Sequence, residues 1–227
     1  MSGDHGPLWL WAEEQSAGTG RSGRLWHSPR GNLYATFLMP VSDDPARAAL
    51  HSFVACLAVA DTLGVIVGGA AQAALKWPND ALLDGYKVAG VLLESGMGGA
   101  GRWLSVGIGI NLAHAPADAR WPAISVSGIT GKTAPEVEAT LDILSAAMAV
   151  RLRQFEEKGF ASIRHDWLAR AARLGEVVEA RLPDETVTGV FETLDETGAM
   201  LLQIGTESRR IHAADVFFPG GTDAAGH

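Results

Sequence analysis

Between residues 70 and 94 the chain can do little except turn back on itself. An apolar run from Ala70 to Leu75 leads into Lys76-Trp77-Pro78-Asn79-Asp80. After Asp84-Gly85 the chain re-enters with Lys87-Val88-Ala89-Gly90-Val91-Leu92-Leu93-Glu94. Asp-Gly between apolar runs is a strong hairpin signal, because both residues tolerate the left-handed backbone of the turns that match strand twist. The hairpin is expected to bring Lys76, Asn79, Asp80 and Lys87 to one end of two strands. Two ammonium groups beside a carboxylate suit a reaction between anions, with room for a metal ion. The plain alternative is a surface hairpin with solvated lysines.

A second stretch points the same way. Leu8 to Ala12 reads as a buried strand, and Gln15 to Trp26 follows it with three glycines and two arginines, Gly18, Gly20, Arg21, Gly23 and Arg24. Backbone amides and guanidinium groups in such a loop can hold an anion. Gly18-x-Gly20-x-x-Gly23 formally fits the dinucleotide fingerprint. That fingerprint needs a helix opening at its third glycine, and Trp26-His27-Ser28-Pro29-Arg30-Gly31 prevents one.

The remaining segments suggest helices, then strands. Asn32 to Pro40 reads as a strand. Asp44-Pro45 opens a helix as cap and first-turn proline, with Leu50, Phe53, Val54 and Leu57 on one stripe and Gly64 at its end. Cys56 beside that stripe reads as a packed small residue. Trp103 to Leu112 reads as a strand ending at Asn111, whose Gly107 and Gly109 share a face and leave space for something to lie against the sheet. Gly128 to Thr133 tempts a phosphate-loop reading, but Val126 stands where that motif needs glycine. Thr133-x-x-Glu136 is instead a capping box, with Pro135 inside the first turn of a helix running to about Lys158. Another helix is expected from Ala161 to about Arg173. From Gly175 onward the apolar period is two, at Val177, Val187, Phe191, Met200, Leu202, Ile204 and Ile211, with turns at Pro183-Asp184 and Glu196-Thr197-Gly198. Short strands this dense make a small β-barrel or sandwich.

Bulk properties narrow the classes. A net charge of −8 argues against a general nucleic-acid binder. A single cysteine cannot form an internal disulfide, which fits a reducing, cytoplasmic location. No apolar run is read as long enough to span a bilayer, and the first residues lack a signal-peptide pattern. The histidines show no zinc-ligand spacing.

Taken together, Lys76 to Asp80, Lys87 to Glu94, the loop from Gln15 to Tyr34 and Gly107-Ile108-Gly109-Ile110-Asn111 resemble the signature motifs of the biotin protein ligases. The resemblance covers about residues 8–218. It implies an α+β fold: a mixed β-sheet with helices packed on it, like the class II aminoacyl-tRNA synthetase catalytic domain, then a small C-terminal SH3-like β-barrel. The expected layout is a catalytic domain over 1–173 lacking the family's first strand–helix unit with its Ser-Thr-Asn motif, an SH3-like domain over 174–219, and a disordered tail over 220–227. The implied activity joins biotin to a lysine of a biotin carboxyl carrier protein through biotinyl-5′-AMP, using ATP and Mg2+. The carrier belongs to acetyl-CoA carboxylase or a relative. No DNA or membrane partner is implied, since the helix-turn-helix domain of repressor members is absent, and a homodimer is compatible.

Residue by residue, the resemblance makes Lys87 the main catalytic group, touching the substrate carboxylate and bridging oxygen, and Arg21 the group that retains the adenylate. Gln15 matches a contact to the biotin ring system, and Asn111 lies near the nucleotide. Gly18, Gly20, Arg24, Lys76, Asn79 and Gly90 complete the binding set, and Asp80 orients Mg2+. Thr19 stands where the family usually has an arginine thought to help hold the biotin carboxylate. The alternatives are a lipoate or octanoate ligase, or an impaired remnant that binds nucleotide without full ligase activity.

Overall fold

The structure, a computed structural model, describes residues 7–42, 44–99, 101–117 and 121–219. The tail expected over 220–227 lies outside the described residues.

The strands are β1 (Leu8–Ala12), β2 (Leu33–Pro40), β3 (Ala73–Lys76), β4 (Asp80–Leu83), β5 (Tyr86–Gly98) and β6 (Gly101–Ile110). They form one sheet in the order β1-β2-β6-β5-β4-β3, every neighbouring pair antiparallel. The mixed character expected of this sheet is confined to two isolated parallel bridges, Leu75 with Ala171 and Lys87 with Ala123. Asp84 and Gly85 turn at φ 49° and 84°, the left-handed pair that the Asp-Gly dipeptide supplies. The result is a meander of three strands, β3-β4-β5. Among the described residues strand β1 pairs only with β2, and it is not the buried strand expected: Leu10 is 57% and Trp11 39% exposed.

One face of the sheet is covered by α2 (His51–Val67), preceded by a short α1 (Pro45–Ala49). Asp44 caps α1 by accepting from the Ala46 amide, as read from the sequence. Gly64 does not end α2, which runs on to a left-handed Gly68. Nor is α2 amphipathic: Phe53 to Ala60 are all buried, because strands lie on one side and α4 on the other. By composition and length Pro45–Val67 would suffice to cross a bilayer, contrary to the sequence reading, and 67% of its 18-residue apolar window is buried inside the protein. Each fully buried side chain such as Leu57 or Leu63 contributes about 1.5–3 kcal/mol to folding. The Cys56 thiol is buried within this helix, and burial pushes its pKa up.

A short α3 (Val126–Thr130) is capped by the Ser125 hydroxyl and ends at left-handed Gly131. The Gly-Lys-Thr sequence is therefore a helix exit. Thr133 and Glu136 do not form a capping box: α4 (Val137–Leu168) starts one residue after Glu136, with no side-chain cap. Gly159, at φ 70°, breaks α4 into two helical segments. The break is spanned by Gln154, which donates to Ser162 Oγ at 2.7 Å and Asp166 at 2.9 Å, and by Arg151, which donates to Asp166 at 2.6 Å. Arg151 and Arg170 both also donate to Asp61 of α2, at 2.7 Å.

The C-terminal strands are β7 (Val177–Arg181), β8 (Thr186–Leu194), β9 (Met200–Ile204), β10 (Glu207–Ile211) and β11 (Asp215–Phe217). They make an SH3-like antiparallel sheet in the order β10-β9-β8-β7-β11. In β7 the inward residues are Val178 and Ala180, with Val177 48% exposed, so the two-residue period holds but with the opposite phase. This sheet packs on the first through Trp77, whose indole donates to the Gly198 carbonyl at 3.0 Å.

Candidate active site

The Gly/Arg segment folds into a narrow loop fixed at its base. The Gln15 amide donates to the Ser28 carbonyl at 3.3 Å and the Trp26 amide to the Gly18 carbonyl at 2.8 Å. Ser28 Oγ donates to Gln15 Oε1 at 2.8 Å. Gly18 itself does not line the cavity, although it was expected among the binding residues. A Cβ there would stand 2.5 Å from Ser28 Oγ and from the Trp26 carbonyl oxygen, so glycine is needed for the loop to close. Beyond it the chain makes one 3-10 turn at Arg21–Gly23 instead of a helix.

Beneath this loop lies a cavity of about 590 Å³, bounded by β2, β4, β5 and β6 and closed at one end by β11. Gln15, Gly20, Arg21, Arg24, Lys76, Asn79, Asp80, Lys87, Gly90 and Asn111 all line it. The strand register alone does not group them as expected. Lys76 faces Asp80 and Asp80 faces Gly90, whereas Lys87 pairs with Leu82 toward the other end of β4. Its long side chain closes the gap. Lys87 Nζ lies 2.6 Å from Asp80 Oδ1, with the two side chains only 22% and 16% exposed.

The other cations are also held. Lys76 is 6% exposed, with its Nζ 2.7 Å from the ring centroid of Trp121 and within 6 Å of the Phe217 and Phe218 rings. Arg24 donates twice to the Asp215 carboxylate, at 3.0 and 2.8 Å. Arg21 donates to the Ala214 carbonyl at 3.4 Å. Burial lowers the pKa of Arg21, an effect that Asp215 and Asp80 oppose. Arginine nevertheless stays protonated at any physiological pH. Asn79 donates to the Val91 carbonyl, and Asn111 to that of Ile124 at 3.2 Å. Asn111 is thereby tied to the wall of the cavity.

Sequence reasoning missed several contributors. Trp121 and the strand Asp215–Phe217 form one wall, joined by ring contacts of 5.4 Å from Trp121 to Phe217 and to Phe218. No local pattern marks a C-terminal strand as part of a site 130 residues away in sequence from Asp84-Gly85. Trp26 lies over Gly90 and Gly109, and the glycine spacing in β6 was the signal for it. Asn32, 1% exposed, accepts from the amides of Ala113 and His114 and donates to the His114 carbonyl, which fixes the segment leaving β6. Tyr34 donates its hydroxyl to the Pro29 carbonyl at 2.8 Å, and burial pushes its pKa up to about 12.

Chemically, the cavity gathers four cations, Arg21, Arg24, Lys76 and Lys87, with the carboxylates of Asp80, Glu94 and Asp215 in its lining. Such a site offsets repulsion between two negative reactants. Among the described residues no three His, Cys, Asp or Glu side chains gather to hold a metal ion. Asp80, paired with Lys87 at 2.6 Å, would suit Mg2+ that arrives on a nucleotide and keeps most of its ligands as phosphate and water.

Comparison with known proteins agrees with this picture. The sequence model of the biotin/lipoate A/B protein ligase family matches residues 3–111, and that of the biotin protein ligase C-terminal domain matches residues 174–218. A biotin–[acetyl-CoA-carboxylase] ligase of Paracoccus denitrificans is 47% identical over 95% of this chain and 92% of its own length. The enzyme of the same name from Mycobacterium tuberculosis is 31% identical, over 91% of this chain and 77% of its own. Among solved structures, the biotin protein ligase from Aquifex aeolicus in complex with biotin and ATP superposes with a TM-score of 0.78 at 30% identity, covering 92% of this chain and 87% of that one. A chain that carries both family segments, and nearly half the residues of a full-length relative, belongs to the biotin protein ligase family.

Proposed function

We propose that the chain ligates biotin to a lysine of a biotin carboxyl carrier protein in two steps. In the first, the biotin carboxylate attacks the α-phosphate of ATP and pyrophosphate leaves. In the second, the carrier's lysine amine attacks the carbonyl of biotinyl-5′-AMP and AMP leaves. The observation that carries the reading is the Lys87 amine, enclosed in the loop-covered cavity at 2.6 Å from Asp80. In this reading Lys87 neutralises the attacking carboxylate and the oxygen that bridges it to phosphorus, where charge develops. Arg21 retains the adenylate, Arg24 and Lys76 add positive charge, and Asn111 positions the nucleotide. Gln15 contacts the biotin ring system. Mg2+ supplies charge neutralisation on the phosphates, and Asp80 orients it.

The mixed anhydride is hydrolysed if water reaches it, so the covering loop has a second role in excluding solvent. The acceptor is the carrier domain of an acetyl-CoA carboxylase or a related carboxylase, as the names of the relatives suggest. The test is to incubate the protein with biotin, Mg-ATP and a purified carrier domain, then probe the carrier for biotin. Parallel arms with lipoate and octanoate check the acid. An unlabelled carrier, together with no biotin-dependent exchange of pyrophosphate into ATP, would sink the proposal.

A further inference from the structure

Gly90 and Gly109 sit directly opposite one another across β5 and β6, and neither has a positive φ that would call for glycine. What they avoid is a side chain. A Cβ at Gly109 would stand 2.7 Å from three atoms of the Trp26 indole, and one at Gly90 would stand 3.3 Å from it. The pair therefore forms a bare shelf, and the indole lies on it. The indole Nε1 is buried, with no hydrogen-bond partner among the described residues. A buried N–H without a partner is unfavourable, so nothing polar holds the ring on the shelf. The shelf also borders the reacting groups. Lys87 Nζ is 3.4 Å from the Cβ position of Gly90 and 5.2 Å from the Trp26 ring centroid.

We propose that Trp26 plugs the acid-binding slot: its indole occupies the shelf of Gly90 and Gly109, and the aliphatic stem of the incoming acid, next to its carboxylate, takes that place. The inference rests on the biotin ligase reading and deepens it by assigning the stem's position. Exchange requires no break in the loop base, because the Gln15–Ser28 and Gly18–Trp26 backbone bonds can persist while the indole rotates. The slot is one ring thick, so it admits an unbranched chain and rejects acids branched beside the carboxylate.

The test follows Trp26 directly. The chain has seven tryptophans, so the Trp26 signal is the difference in emission between the wild-type protein and Trp26→Phe. Saturating biotin, with binding verified by calorimetry, should shift this component and change its acrylamide quenching at least twofold, whereas ATP alone should not. In stopped-flow mixing Trp26→Ala should bind biotin at least threefold faster than wild type. Gly109→Ala, and the milder Gly90→Ala, should evict the indole, giving a Trp26 component that no longer responds to biotin. Biotin heat with an unchanged Trp26 component would overturn the plug while leaving the ligase reading intact, as would an equal response to ATP alone. No biotin heat in the wild-type protein would overturn both.

Discussion

Arg24 and Asp215, 191 residues apart in sequence, meet in a two-pronged ion pair with contacts of 3.0 and 2.8 Å. The pair ties the Gly/Arg loop to the last strand of the C-terminal sheet. Because the partners are 43% and 29% exposed, it contributes little to global stability. Its consequence is local, since it fixes where the Arg24 guanidinium stands.

Replacing Asp215 by Asn should therefore separate stability from function. Exposed pairs contribute about 0–1 kcal/mol, so Tm should change by less than about 4 °C in a chain of this size. The KM for ATP should rise several-fold in pyrophosphate exchange, because the guanidinium is no longer pre-positioned. An unchanged KM would mean that Arg24 finds its working position without Asp215.

Lys87→Met should leave a folded protein with little adenylate formation. Loss of one preorganised charge at a developing anion costs on the order of a hundredfold or more in rate. Single-turnover synthesis of biotinyl-5′-AMP from labelled ATP measures it, and circular dichroism checks the fold. Retained turnover would remove Lys87 from its assigned role.

The Arg151 cluster fastens the helical layer through polar contacts. Arg151 is 12% exposed and donates to Asp61, Asp166 and Gln154 at 2.6–2.7 Å. Arg151→Ala leaves two half-buried carboxylates short of a partner and should destabilise by on the order of 2–3 kcal/mol. Urea denaturation should show a lower midpoint, while the turnover of the remaining folded protein stays near wild type.

Acid should act through the same carboxylates. The Asp166 pKa is lowered by hydrogen bonds from Gln154 and Arg151. At Asp61 burial pushes upward, but the hydrogen bonds and charges of Arg151 and Arg170 outweigh it and the net shift is downward. At Asp195 burial again opposes, and donors from Thr197 and Ala199 together with Arg210 win. A depressed folded pKa gives stability that is complete above the unfolded value of about 4 and is lost as pH falls through the folded value. Urea midpoints should thus be insensitive to these groups near neutrality and fall steeply below about pH 4. Asp195→Asn should flatten that fall; an identical slope would exclude Asp195 as a contributor.

Local chemistry made some features legible. Asp84-Gly85 had to turn because the dipeptide tolerates φ above zero, and Asp44-Pro45 had to start a helix. The Gly/Arg loop could not become a helix across Ser28-Pro29. The expected binding and catalytic residues were readable as a set, and all of them but Gly18 line one cavity. Other features depended on who the neighbours are. Thr133 and Glu136 carry the spacing of a capping box, yet the helix begins after them. Gly64 looks like a helix end, yet packing continues the helix to Val67.

By itself, then, the sequence determined the turns, the loop and the identity of the charged groups, because each depends on backbone preferences within a few residues. Only the tertiary structure decided that the Lys87 side chain spans to Asp80, that Trp26 lies on two facing glycines, and that Asp215 and Phe217 wall the site. Those contacts join segments up to 191 residues apart, and no short-range preference encodes which distant surface a buried ring or an ion will meet.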